Sequence, residues 1–231
     1  MNLLLISNSG QPPFEHCRET LARFLPVGTE VAVVTAARLD DPEKRFQSVR
    51  PALIACGTQP VHYRYDRDAL SLLENAGAIV VPGGNTYALL QRLRQCGALD
   101  TIARLVREGR PYVGASAGSN IAGRTILATN DWNVVAATRF EGMDLVRWAI
   151  NPHYLFVDPA SAPGSETRDQ RIEELVSQRR QAVLAIEEQT AVLVEGGFAT
   201  VVGSGRAKFF APDADPLWLS AGDMLPVETA S

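Results

Sequence analysis

Residues 112–118, Tyr-Val-Gly-Ala-Ser-Ala-Gly, put one serine among alanines and glycines, where an apolar run gives way to small residues. Tyr112-Val113-Gly114 reads as the end of a strand and Asn120-Ile121-Ala122 as the body of a helix, so Ser116 falls on the turn between them. A Gly-x-Ser-x-Gly stretch in that setting is a nucleophile elbow, a tight turn that small neighbours permit and that exposes the hydroxyl oxygen. A serine nucleophile needs a base within hydrogen-bond reach, a group that orients the base, and N–H donors for the oxyanion. The chain has three histidines, His16, His62 and His153. His16 lies in a helical pattern and His62 in a short strand-like stretch, where packing is the default role. His153 directly follows Pro152 at the end of an apolar stretch and is the candidate base. The orienting carboxylate stays open between Glu187 and Glu188, which follow an apolar run at 182–186, and Asp131, in the turn-prone Thr129-Asn130-Asp131.

One oxyanion donor should be the N–H next to the nucleophile, at Ala117. A second can come from Pro82-Gly83-Gly84-Asn85-Thr86, a strand end whose glycines let backbone approach a ligand closely, with Gly84 as the expected donor and Asn85 as a substrate contact. Neither a dinucleotide-binding glycine fingerprint nor a P-loop is present, so this loop is weakly supported as a phosphate cradle. The order Ser116, His153, then an acid near 188 differs from α/β-hydrolases, in which the acid precedes the histidine; only Asp131, Glu141 and Asp144 lie between Ser116 and His153. A further cation stands out. Thr167 and Gln170 read as a capping box, which puts Arg168 in the first turn of a helix, where the dipole disfavours it. Arg168 also sits four residues before Ile172, on the stripe that continues through Leu175 and Val176, so it points inward. Such an arginine either binds a ligand carboxylate or pairs with an internal acid.

The elements that would position these groups alternate along the chain. Continuous apolar runs at 3–6, 31–34, 78–81 and 112–113 read as strands buried on both faces, and helical patterns occupy 15–24, 42–55, 66–75 and 87–107. That order predicts βαβ units, hence an α/β fold with a doubly wound, mostly parallel sheet and flanking helices. Short strands at 182–186, 191–194, 200–202 and 208–210, separated by Glu-Gly-Gly and Gly-Ser-Gly-Arg turns, predict C-terminal hairpins at the sheet edge. No repeat or linker interrupts the chain, so one domain over 1–231 is expected. A net charge of −4 gives no basic footprint for nucleic acid, and no apolar run approaches the length of a membrane span. The start reads as a first strand and not as a signal peptide. Cys17, Cys56 and Cys96 are widely separated and lack a C-x-x-C pair, which predicts reduced thiols, a cytoplasmic location and no metal site.

On these residues the sequence resembles the peptidase E family, aspartyl dipeptidases related in fold to class I glutamine amidotransferases. The matching stretches are Leu-Leu-Leu-Ile-Ser-Asn-Ser at 3–9, Gly-Gly-Asn-Thr at 83–86, Gly-Ala-Ser-Ala-Gly at 114–118, Thr-Asn-Asp at 129–131, Ile-Asn-Pro-His-Tyr at 150–154 and Glu-Thr-Arg-Asp-Gln-Arg-Ile at 166–172. The resemblance implies Ser116 as nucleophile, His153 as base and Glu188 as acid, with Arg168 recognising the side-chain carboxylate of an N-terminal aspartate. It departs at Pro82, where the family often has a third glycine, and at Glu187-Glu188-Gln189, where Pro-Glu-Gly is common. The expected protein is a serine dipeptidase without metal or cofactor, a monomer or homodimer, acting on Asp-X peptides. Alternatives are a cyanophycinase-like peptidase or esterase on the same triad, or a catalytically silent protein that binds an acidic small molecule.

Overall fold

The computed structural model describes residues 1–161 and 164–227, so positions 162–163 and 228–231 of the expected domain lie outside the described residues. Five strands, β1 (Leu3–Ile6), β2 (Glu30–Val34), β3 (Gln59–Tyr63), β4 (Ala78–Val81) and β5 (Tyr112–Ala115), run parallel in the order β1-β5-β4-β2-β3. The apolar runs in β1, β2, β4 and β5 follow from having both faces covered, whereas the edge strand β3 reads Gln-Pro-Val-His-Tyr and is only partly buried. Alternation along β1 sends Leu4 and Ile6 to one side, against α1 (Arg18–Phe24) and α2 (Pro42–Ala55). Leu3 and Leu5 face the other side, where α3 (Ser71–Asn75), α4 (Thr86–Gln95), α5 (Ala98–Arg107) and α6 (Ala117–Ala122) pack.

Three helical expectations are corrected in detail. The pattern over 87–107 divides into α4 and α5 because Gly97 takes a left-handed φ of 75° and ends the first helix. The pattern over 15–24 begins as a 3-10 turn at Glu15–Cys17 and becomes α-helical only at Arg18. Over 66–75 only α3 is helical, since the Asp68 carboxylate accepts the Arg64 N–H and shapes a turn instead.

The C-terminal third does two things. The hairpin of β8 (Thr190–Glu195) and β9 (Phe198–Gly203), with β12 (Met224–Pro226), extends the large sheet antiparallel beyond β1. A second sheet, not anticipated from the sequence, holds β11 (Leu217–Leu219), β10 (Ala207–Phe210), β7 (Val183–Glu187) and β6 (Ala149–Tyr154), in that order. The last helix, α7 (Arg168–Arg179), packs on this sheet through Ile172 and Val176, against Tyr154, Val183 and Phe210. The chain passes between the sheets at Glu188-Gln189, where Gln189 takes a φ of 58°. Among the described residues no helix is long and apolar enough to cross a membrane.

Candidate active site

Ser116 stands between β5 and α6 with φ 53° and ψ −111°, a conformation an L-residue adopts only at a cost of about 1–3 kcal/mol. The turn is held from below. Its N–H donates to Ile6 O at 3.0 Å, and the Ser119 hydroxyl lies 2.8 Å from Ile6 O and 2.9 Å from Gly114 O. The Tyr112 hydroxyl donates to Gly118 O at 2.6 Å. Glycine at 118 is required by close approach, since a Cβ there would lie 2.0 Å from Val81 O. The small residues flanking the serine thus let α6 sit directly on β4 and β5 and present Ser116 at their carboxyl ends.

The base comes from the other sheet. Strand β6 pairs with β7 at Asn151↔Ala185 and again at Tyr154↔Glu187, so one extra residue bulges between them. Pro152 cannot donate to a ladder and is tolerated because β6 is the edge strand. The bulge re-aims His153, whose φ of 55° is left-handed, toward the elbow. His153 Nε2 lies 2.8 Å from Ser116 Oγ, and Nδ1 lies 2.6 Å from Glu188 Oε1. A carboxylate only accepts, so Nδ1 carries the proton and Nε2 accepts from the serine hydroxyl.

Ser7 connects the two sheets at this point. It is fully buried at the end of β1, its hydroxyl donates to Ile186 O at 2.9 Å, and it accepts the His153 N–H at 2.8 Å. In the sequence Ser7 is marked only as a serine that ends a four-residue apolar strand.

The other candidates fall elsewhere. Glu187 accepts from the Arg206 N–H and guanidinium and faces away from His153. Asp131 accepts from the Thr86 N–H at 2.7 Å and the Thr86 hydroxyl at 2.6 Å, which fixes the start of α4. Both ends of the Asn85 amide are engaged within the fold: its oxygen caps α4 through the Ala88 N–H, and its nitrogen donates to Trp132 O. Asn85 therefore holds the start of α4 and the Trp132 loop in place beside Gly84. Gly84 does keep an N–H with no hydrogen-bond partner among the described residues. Its backbone packs so closely on Ala37 that a Cβ would lie 2.5 Å from Ala37 O. Ala117 begins α6, where first-turn N–H groups have no partner within the helix. His62 is committed to Thr35 and Glu43. Burial lowers the pKa of His16, and the charge of Glu188 opposes that shift.

A cavity of about 510 Å³ is walled by Thr129, Asn130, Asp131, Trp132, Asn151 and Arg168, among others. It does not include Ser116 but adjoins its partners, because Asn151 lies on β6 two residues before His153. The expected capping box of Thr167 and Gln170 is formed, and Arg168 is the first residue of α7. Arg168 is half-buried and makes no hydrogen bond or ion pair among the described residues, whereas Arg171 pairs with Glu166. Burial, then the neighbouring Arg171 charge, lowers the Arg168 pKa, as an unneutralised guanidinium requires. Such a cation gains from any carboxylate entering the cavity.

Residues 3–202 match the Peptidase family S51 model. A Streptomyces coelicolor protein named peptidase E is 38% identical over 97% of this chain and 93% of its own length. A Drosophila melanogaster protein named "Probable alpha-aspartyl dipeptidase" is 42% identical over 92% of this chain and 90% of its own. The crystal structure of a peptidase from an acI-B1 actinobacterium superposes with a TM-score of 0.73 at 19% identity, covering 97% of this chain and 96% of that one, a likeness of fold. With its elbow, its order of elements and a match over most of its length, the chain belongs to peptidase family S51.

Proposed function

We propose that this chain is a serine dipeptidase that hydrolyses peptides with an N-terminal aspartate, through an acyl-enzyme on Ser116. The observation that carries the reading is the continuous hydrogen-bond path from Ser116 Oγ through His153 to Glu188. In that mechanism Ser116 Oγ attacks the scissile carbonyl while His153 Nε2 takes its proton, and the oxyanion is met by the N–H groups of Gly84 and Ala117. His153 then returns the proton to the departing amine. Water, deprotonated by the same nitrogen, opens the ester and releases aspartate. Glu188 holds the imidazole in the tautomer this requires and stabilises its charged form.

Arg168 is assigned to the aspartate side chain, because its guanidinium is unpaired and faces the cavity beside the triad. A site built on a half-buried, unpaired guanidinium disfavours substrates that leave it unpaired. A cytoplasmic location belongs to the same reading and is supported by the three cysteines being unpaired; burial pushes the Cys17 thiol up to about 12 and raises Cys56, as in inert packing thiols. The test is a hydrolysis panel with the purified protein on Asp-Leu, Asn-Leu, Glu-Leu and Leu-Leu. Turnover of Asp-Leu, with Asn-Leu disfavoured by several orders of magnitude in kcat/KM, is the expected result. Equal turnover of Asp-Leu and Asn-Leu overturns the assignment of Arg168, and turnover of none of them overturns the activity.

A further inference from the structure

Strand β10 is buried along its whole length, and its second residue is a lysine. The Lys208 side chain is 9% exposed, and its ammonium lies 2.6 Å from Asp169 Oδ2. The rings of Phe156, Phe210 and Trp218 surround it, with centroids 5.1–5.5 Å from Nζ. The other Asp169 oxygen accepts the Tyr154 hydroxyl at 2.5 Å. Burial and this contact hold the Tyr154 pKa well above its usual range, so the hydroxyl stays a donor. Withdrawing an ammonium and a carboxylate from water is costly, and well-packed apolar residues of the same volume commonly serve stability as well or better. The arrangement therefore calls for a reason beyond stability.

Its position supplies one. Asp169 is the neighbour of Arg168 in the first turn of α7, and Tyr154 is the neighbour of His153 on β6. The path Lys208–Asp169–Tyr154 therefore ties the turn that carries the free guanidinium to the strand that carries the base. On the same face of β10's approach, Arg206 sits 3.9 Å over the Trp218 ring and pairs with Glu187, the neighbour of Glu188.

We propose that Lys208 is a positioning residue for substrate selectivity, fixing Arg168 at the distance from Ser116 and His153 that an aspartate side chain spans. This rests on the reading of Arg168 as the carboxylate-binding residue. His153 and Ser116 have their own supports in Ser7, Glu188 and Ile6, none of which involves Lys208. Loss of the ammonium leaves Asp169 buried with the tyrosine alone, and the first turn of α7 shifts. A misplacement on the scale of an ångström can cost about 10²-fold in rate.

The experiment compares wild type, Lys208→Met, Tyr154→Phe and Arg168→Met, each checked for folding by its thermal midpoint. The readouts are kcat and KM on Asp-Leu and Asn-Leu, and the rate of labelling by a fluorophosphonate, which reads the triad without using Arg168. In Lys208→Met the expected result is a fall of about 10- to 100-fold in the Asp-Leu over Asn-Leu ratio, carried by KM, with labelling within twofold of wild type. Tyr154→Phe, which removes one hydroxyl and decides the matter if Lys208→Met does not fold, should move the same ratio in the same direction by less. An unchanged ratio in a folded variant overturns the proposal. So does a parallel fall of both substrates and of labelling, which marks general structural support. If Arg168→Met itself keeps the wild-type ratio, the underlying reading of Arg168 fails and the role of Lys208 falls with it. If only Arg168→Met loses the ratio, the role of Lys208 alone is refuted.

Discussion

Replacing Glu188 with glutamine keeps the shape of the side chain, removes its charge and puts an amide against His153 Nδ1. Two unit charges about 4 Å apart near a protein surface interact by about 4 kcal/mol at an effective dielectric of about 20. The Glu188 and His153 side chains are 49% and 37% exposed, so water screens part of that attraction. A loss of about 2–4 kcal/mol of stabilisation of the imidazolium corresponds to roughly 30- to 900-fold in kcat at 1.36 kcal/mol per decade. That is less than the ~10⁴-fold cost in a triad whose acid is buried. The assay is kcat and kcat/KM on Asp-Leu for Glu188→Gln, Glu187→Gln and Asp131→Asn in parallel. Glu187→Gln loses only its contacts with Arg206 and should stay within about threefold, a surface-pair scale. Asp131→Asn weakens the hold on Thr86 and the cavity wall, so its effect should appear in KM before kcat. A Glu188→Gln enzyme within threefold of wild type, or a larger kcat loss at either other position, refutes the assignment.

Arg168→Met keeps much of the side-chain volume and removes the charge; kcat/KM for Asp-Leu should fall about 10²-fold or more, on the ~2–5 kcal/mol scale of a broken buried charge pair, with little change for Asn-Leu. Ser7→Ala leaves the part-buried His153 N–H without its acceptor and should cost about 1–3 kcal/mol in denaturant unfolding together with a lower kcat, and full retention of both contradicts the bridging role. The folded-state pKa of His16 lies below its ordinary value of 6.5, first through burial and against the charge of Glu188. The unfolded chain therefore binds this proton first, and the stability tied to it is present above about pH 6.5 and lost as pH falls from there toward the folded pKa. His16→Gln should flatten that acid limb of the unfolding midpoint against pH; an identical limb in both proteins excludes the linkage.

Four of the five parallel strands are legible because each holds a short apolar run, the pattern of strands covered on both faces, whereas the edge strand β3, Gln-Pro-Val-His-Tyr, has no such run to mark it. The elbow was legible for a related reason: only small side chains allow α6 to rest on β4 and β5, and they stand in sequence as Gly114, Ala115, Ala117 and Gly118. Pro152 marks the bulge that turns His153, although a proline alone does not say which way a strand bends. The second sheet was not legible. β11 has three residues and β10 reads Ala-Lys-Phe-Phe, and pairing of such short segments is decided by distant packing more than by local pattern. Ser7 is not legible in the sequence because its partners lie 146 and 179 positions away, and Lys208 because Asp169 is 39 positions away. The division between Glu187 and Glu188 follows from alternation at the end of β7, but which one faces the base depended on where β6 lies.

The central claim is that Ser116 is the nucleophile, and site-resolved covalent labelling tests it most directly. Wild-type protein treated with a fluorophosphonate should gain one adduct, located by peptide mapping at Ser116. Ser116→Ala should fold, take no label and lose turnover of Asp-Leu by a factor on the order of 10⁶, the scale for removing a nucleophile that works as a unit with its base. A label on another residue, or an alanine variant that keeps more than about a tenth of wild-type turnover, far above that scale, contradicts the account.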